Sequence, residues 1–157
     1  MVTIMRLDDE KQKSGIADSI LHSLPEWFGI ESSIIEYVEG VSPTTFYAAY
    51  DGEDAVGCLS IIAHNPHTSE IYVMGILEAF HRQGIGSALL HAAEEDLRKE
   101  NVRFLMVKTL GSSHPDVHYA RTREFYSESG FYPLEEIREI WGPTNPCLIM
   151  VKALRFP

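Results

Sequence analysis

The sequence predicts an α/β (α+β) protein, with helices on both faces of a mixed sheet. Three observations carry this. Ile85, Ala88, Leu89, Ala92, Ala93 and Leu97 recur at spacings of three and four, the period of a helix that buries one side. Residues 44–50 and 56–63 are rich in strand-forming side chains and flank the turn Asp51-Gly52-Glu53-Asp54, the pattern of a hairpin. Strand-like and helix-like segments then alternate to the end of the chain, which calls for one mixed sheet covered on both sides.

Residues 3–7 read as a short strand. Residues 8–23 carry Ile16, Ile20 and Leu21 on one side of an amphipathic helix. Pro25 opens a second helical stretch with Trp27, Phe28, Ile34, Ile35 and Val38, which Gly40 and Pro43 break. After the hairpin, residues 64–68 form a Pro-containing loop and 70–77 a third strand. The periodic helix runs from about Gly84 to about Glu100, with Glu94, Glu95, Arg98 and Lys99 on its wet face. Residues 102–109 are another strand and 111–115 a loop. Asp116 can cap a helix that ends at Gly130. Residues 131–141 fit neither period, and 147–154 form a last strand. There is no linker, repeat or low-complexity block, so residues 1–157 are expected to make one domain.

The bulk numbers narrow the function. The length of 157 residues can bury a substantial core, and 45% hydrophobic with 23% charged residues is the balance of a globular protein. Lys and Arg number 13 against 23 Asp and Glu, a net charge of −10. Phosphate-backbone binding needs clustered cations, so nucleic acid is not the expected partner. Cys58 and Cys147 each sit in an apolar run and read as buried free thiols. The first seven residues run straight into Asp8-Asp9-Glu10-Lys11, and no apolar run reaches membrane-spanning length. A cytoplasmic protein without membrane contact is therefore expected.

The stretch that carries most chemistry joins strand 70–77 to the helix at Gly84. Gly84 and Gly86 fall in the helix's first turn, where unpaired N–H groups and the helix dipole favour an anion and glycine lets a ligand approach the backbone. The segment can therefore hold a pyrophosphate. The plain alternative is a turn with close helix packing. No Walker Lys-Ser/Thr and no third glycine follow, so an ordinary nucleotide site is not indicated.

His81-Arg82-Gln83-Gly84-Ile85-Gly86, set between a strand and a long helix, resembles the Arg/Gln-x-x-Gly-x-Gly/Ala loop of the GNAT superfamily of N-acetyltransferases. His81 stands where Arg or Gln is usual, and Arg82 can supply the cation. Thr122-Arg-Glu-Phe-Tyr-Ser-Glu-Ser-Gly-Phe131 is similar to that family's Ala-x-x-Phe-Tyr-x-x-x-Gly-Phe stretch, with Thr122 in place of Ala. Tyr119 takes a position that is often Asn. The two motifs come in the family's order, and the likeness covers nearly the whole chain.

The resemblance implies a mostly antiparallel sheet, acetyl-CoA as co-substrate without a metal, and transfer of the acetyl group to a primary amine by direct attack. The amine can belong to a small molecule or a protein, and dimers are common in the family, so a homodimer is allowed for. By position, the resemblance assigns acetyl-CoA contacts to Met74 and Ile76 (backbone), His81, Arg82, Gln83, Gly84, Ile85, Gly86, Ser87, Tyr119 and Tyr126. A lysine-like amine has a pKa of ~10.4 and must lose a proton before attack, while the leaving thiolate gains from a donor. Glu70 is the base by position, against a plain reading as a strand-end carboxylate. Tyr126 is the acid by the same resemblance, against an aromatic core stripe. Strand alternation places Glu70, Tyr72, Met74 and Ile76 on one face.

Trp27, Phe28 and Trp141 are either acceptor-pocket or core residues. His64 with His67, and His114 with His118, lack a third metal ligand beside them. Two other classes stay open: a non-catalytic acyl-CoA-binding or sensor module that uses the same cradle, and a structural domain whose glycines only serve packing.

Overall fold

The computed structural model describes residues 1–154. Its elements run β1 (Val2–Leu7), α1 (Glu10–His22), α2 (Glu31–Gly40), β2 (Thr45–Asp51), β3 (Asp54–Asn65), β4 (Thr68–Ile76), α3 (Ile85–Lys99), β5 (Phe104–Leu110), α4 (Val117–Glu128), β6 (Tyr132–Ile137), α5 (Arg138–Trp141) and β7 (Cys147–Ala153). The strands form one sheet in the order β1-β2-β3-β4-β5-β7-β6. Every pairing is antiparallel except β4 with β5.

Two apolar layers cover the sheet. On one face Ile85, Leu89, Ala93 and Leu97 of α3 meet Tyr47, Leu59, Ile71 and Leu105. On the other, Ala17, Ile20 and Leu21 of α1 and Ile34 of α2 meet Phe46, Ala48, Cys58 and Val73. Inside and outside alternate along β2 as β geometry requires. Among the described residues, no helix is long and apolar enough to cross a membrane.

Three local expectations change. The second helix begins at Glu31, not Pro25: a tight turn forms first, with the amides of Trp27 and Phe28 on the Leu24 carbonyl, and Ile30 is extended before the helix starts. Residues 64–68 are not a free loop. Asn65 pairs with Thr68, so β3 and β4 meet at a two-residue turn in which the Asn65 side chain accepts from the His67 amide. Residues 131–141 divide into edge strand β6 and the short α5. Pairing with β7 fixes that strand, with a register shift between Pro133 and Glu135.

The feature that shapes the site lies in β4. Val73 pairs with Ser60 and Ile71 with Ile61, which leaves Tyr72 as an extra residue, a β-bulge. Ile71, Met74 and Ile76 pack toward α3, while Tyr72 and Val73 pack toward α1 and α2. The expected single face is therefore wrong: Glu70 and Tyr72 lie on the α1/α2 side, Met74 and Ile76 on the α3 side. One inserted residue resets the two-residue period. The parallel ladder also stops there, at Ile71 with Val107, and beyond it β4 and β5 part.

Candidate active site

The parting of β4 from β5 opens a groove of about 1000 Å³. Beyond Ile71 the strand edge along it has no partner strand among the described residues. The Leu77 amide bonds the Val56 carbonyl on the β3 side. By alternation Gly75 also faces β3, and the peptide groups of Met74 and Ile76 face the groove. Thr109 on β5 lines the same groove, and its buried hydroxyl has no hydrogen-bond partner among the described residues. Buried polar groups are normally paired, so this oxygen and the free strand edge suit an extended, amide-containing ligand arm.

The groove continues to the start of α3. Gly84 is the N-cap there, with φ +77 and no side-chain cap bond. Arg82 also has positive φ, at 61. This left-handed backbone turns the chain sharply into the helix and leaves its first amides open. A Cβ on Gly86 would sit 3.1 Å from both Ile76 and Phe125. Gly86 thus serves close packing of α3 between β4 and α4, as the plain reading held, in the same turn that presents the amides. Arg82, Ser87 and Arg121 line this end.

His81 does something the sequence did not signal. Its Nε2–H donates to the Ile76 carbonyl at 2.6 Å, and its ring meets Trp27 edge-on at 5.4 Å. The side chain is thus turned to the strand edge and not to the open amides. Gln83 donates back to the Ala79 carbonyl at 3.2 Å. Tyr119 lines the groove with its ring, while its hydroxyl donates to the Trp27 carbonyl at 2.5 Å. Burial pushes that phenol up to about 12.

Tyr126 is buried between Phe125 and Phe131, each ring 5.4 Å away. Its hydroxyl reaches the Met74 sulfur at 4.0 Å. Burial, followed by the nearby phenols of Tyr119 and Tyr37, pushes its own phenol well above the usual range. The group therefore holds its proton at neutral pH and is available as a donor beside the strand edge.

Glu70 lies deeper than the groove wall. Its Oε1 accepts from His64 Nε2 at 2.6 Å, and its Oε2 is 3.7 Å from Lys108 Nζ. Glu70 is 5% exposed, whereas the His64 side chain is 40% exposed. The buried carboxylate so has a hydrogen-bonded route to water on one side and Lys108, a groove residue, on the other. His64 was legible in principle. Glu70 pairs with Ile62, and His64, two residues on in β3, shares that face once the strand is carried through to Asn65.

The far end of the groove is aromatic: Trp27, Phe28, Tyr37, Tyr72 and Trp141 line it. Tyr37 bridges Phe28 and Tyr72 at ring distances of 6.1 and 5.3 Å. Tyr37 and Tyr72 were not singled out from the sequence, because helix spacing on α2 and a bulge on β4 gave no sign that they meet.

The profile described as the acetyltransferase (GNAT) family matches residues 11–131. An uncharacterised N-acetyltransferase of Chlorobaculum tepidum is 29% identical over 118 residues, 73% of this chain. The match takes in 66% of that relative, just under two thirds of its length. The ribosomal-protein-S18-alanine N-acetyltransferase of Escherichia coli superposes with a TM-score of 0.78 at 17% identity, over 100% of this chain and 96% of its own. A GNAT family acetyltransferase of Elizabethkingia anophelis, solved with acetyl-CoA bound, superposes with a TM-score of 0.70 at 18% identity, over 98% of each chain. At these identities the solved structures speak for the fold, which is theirs, while the profile spans most of the sequence: the chain belongs to the GNAT family of acetyltransferases.

Proposed function

We propose that this chain is a cytoplasmic N-acetyltransferase that moves the acetyl group of acetyl-CoA to a primary amine. The observation that carries this is the gap between β4 and β5. It brings a free strand edge, the open amides of α3 and the Tyr126 hydroxyl to one groove.

In this reading the first amides of α3, around Ile85, Gly86 and Ser87, bind the pyrophosphate, with Arg82 adding charge. The Met74 peptide groups, the Ile76 amide and the Thr109 hydroxyl bond the extended arm, while the Ile76 carbonyl stays with His81. A backbone N–H of this edge also holds the thioester oxygen as it gains negative charge. The amine nitrogen attacks the carbonyl carbon, so a C–N bond forms and the C–S bond breaks. Two protons leave the acceptor nitrogen, the ammonium's before attack and another as the amide forms, and each passes to Glu70 and through His64 to solvent. Tyr126 protonates the departing thiolate and is reprotonated from water. His81 fixes the Ile76 carbonyl and Tyr119 fixes the loop around Trp27, so both position the groove and neither acts in the chemistry.

Calorimetric titration with acetyl-CoA tests the cradle. Native protein should bind, and Ser87→Glu, which puts a carboxylate at the α3 N-terminus, should abolish binding. Binding with no CoA release on any amine would favour the acyl-CoA sensor. No binding at all would remove both readings.

A further inference from the structure

We propose that the acceptor is a small primary monoamine on an aromatic or branched apolar body, seated among Trp27, Phe28, Tyr37, Tyr72 and Trp141. This rests on the acetyltransferase reading above and names the substrate class of that same site.

The argument begins with what lines the groove where. Its three carboxylates are Glu78, Glu124 and Glu128. Glu78 sits in the turn that leads into the cradle, and Glu124 and Glu128 lie one turn apart on α4. Glu128 also borders the hollow between α3 and α4, with Ser87 and His91. Glu124 and Glu128 therefore belong with α4 and the start of α3, and Glu78 with the turn before the cradle. Among the described residues, the α1–α2 connection, α2, β4 and α5, which supply the aromatic wall, contribute no carboxylate to the groove lining. A polyamine or an aminoglycoside carries several ammonium groups, and each needs a partner once it leaves water. That end offers none.

It does suit one ammonium. Glu36 and Glu70 stand behind Tyr72, and after burial their charges are what raise its phenol. They act on Tyr37 in the same direction. Glu70 is shared with Lys108 at 3.7 Å, so the attraction for a single cation comes from Glu36 and from the ring faces themselves. The head group would be turned toward Glu70, the proton acceptor, while the body replaces water on the rings.

Space points to a compact body. A groove of about 1000 Å³ lies at the top of the range for small-ligand sites, and it must hold the thioester arm as well. The aromatic end is walled by the α1–α2 connection, α2, β4 and α5, and the body must fit in what the thioester arm leaves of the groove. Tyr72 is held in this wall by a missing atom: a Cβ on Gly40 would collide with its hydroxyl.

The test is initial-rate CoA release with phenethylamine, a linear alkylamine, spermidine, an aminoglycoside and a short peptide with N-terminal Phe, beside calorimetry with acetyl-CoA. Phenethylamine should give the highest kcat/KM. Trp141→Ala should raise its KM about tenfold, the worth of a lost apolar contact, with acetyl-CoA affinity unchanged. Gly40→Ala should raise KM likewise by pushing the Tyr72 ring into the groove. Higher kcat/KM for spermidine, the aminoglycoside or the peptide overturns the proposal and leaves the acetyltransferase reading standing. So does an unchanged KM in both variants when each is folded by circular dichroism. Acetyl-CoA binding without transfer to any amine overturns it too, while failure to bind acetyl-CoA overturns the reading beneath it.

Discussion

Tyr126, the acid of the proposed reaction, is buried against Phe125 and Phe131 with its hydroxyl on the groove, and its ring is packed whether or not it carries oxygen. Tyr126→Phe should therefore keep the fold and the acetyl-CoA affinity and lower kcat by ~10²–10⁴-fold, the usual worth of general acid catalysis. Steady-state rates beside calorimetry decide it, and unchanged kcat would sink the assignment. Tyr119 gives a prediction about pH. Its phenol is raised from 10.0 to about 12. Below pH 10 both folded and unfolded chains hold the proton. Between 10 and 12 the unfolded chain releases it first, so stability falls as pH rises, by an amount on the order of 2 kcal/mol. Tyr37 and Tyr126, raised as well, act with the same sign. Urea midpoints from pH 8 to 12 should hold level and then drop, and a level line to pH 12 would contradict it. Tyr126 was legible because its motif is local. The engagement of Tyr119 was not, because Trp27 lies 92 positions earlier and only the folded chain brings them together.

At the scale of elements, α4 starts on one side chain. Asp116 Oδ1 accepts from the amides of His118 and Tyr119 at 2.8 and 3.0 Å, and those bonds, that to Tyr119 first, hold its carboxyl below the usual range. Asp116→Ala should cost about 1 kcal/mol and lower Tm by roughly 2–4 °C. A thermal melt checks it; an unchanged Tm would mean water caps the helix as well. This cap could be read from sequence, as could Gly130 at the helix end, since both depend on neighbours in the chain. The bulge at Tyr72 could not. Residues 70–77 alternate like any strand, and the extra residue exists only relative to β3. That is why Glu70 and Met74 were placed on one face. The start of α2 was missed for a related reason: Pro25 is a fair helix opener, but the Leu24 carbonyl takes both following amides and closes a turn instead.

Across the whole molecule, the order of strands and helices was legible from the switch between two periods, and the sheet with covered faces followed from it. The groove was not, because it is a gap between strands distant in sequence. That gap has a consequence for kinetics. The cradle, Met74 and Tyr126 approach it from the α3 side, and the aromatic wall from the α1/α2 side, so under the proposed function the sheet would divide two substrates that meet only at the slit. Neither has to leave for the other to enter. The protein's two thiols cannot hold the acetyl group between visits, for both are buried, with Cys58 raised to about 12 and Cys147 to about 11, mainly by burial. The rate law should be that of a ternary complex. Double-reciprocal plots against amine at several acetyl-CoA concentrations should intersect, and parallel lines would mean that the enzyme carries the acetyl group itself, through a residue the fold keeps elsewhere.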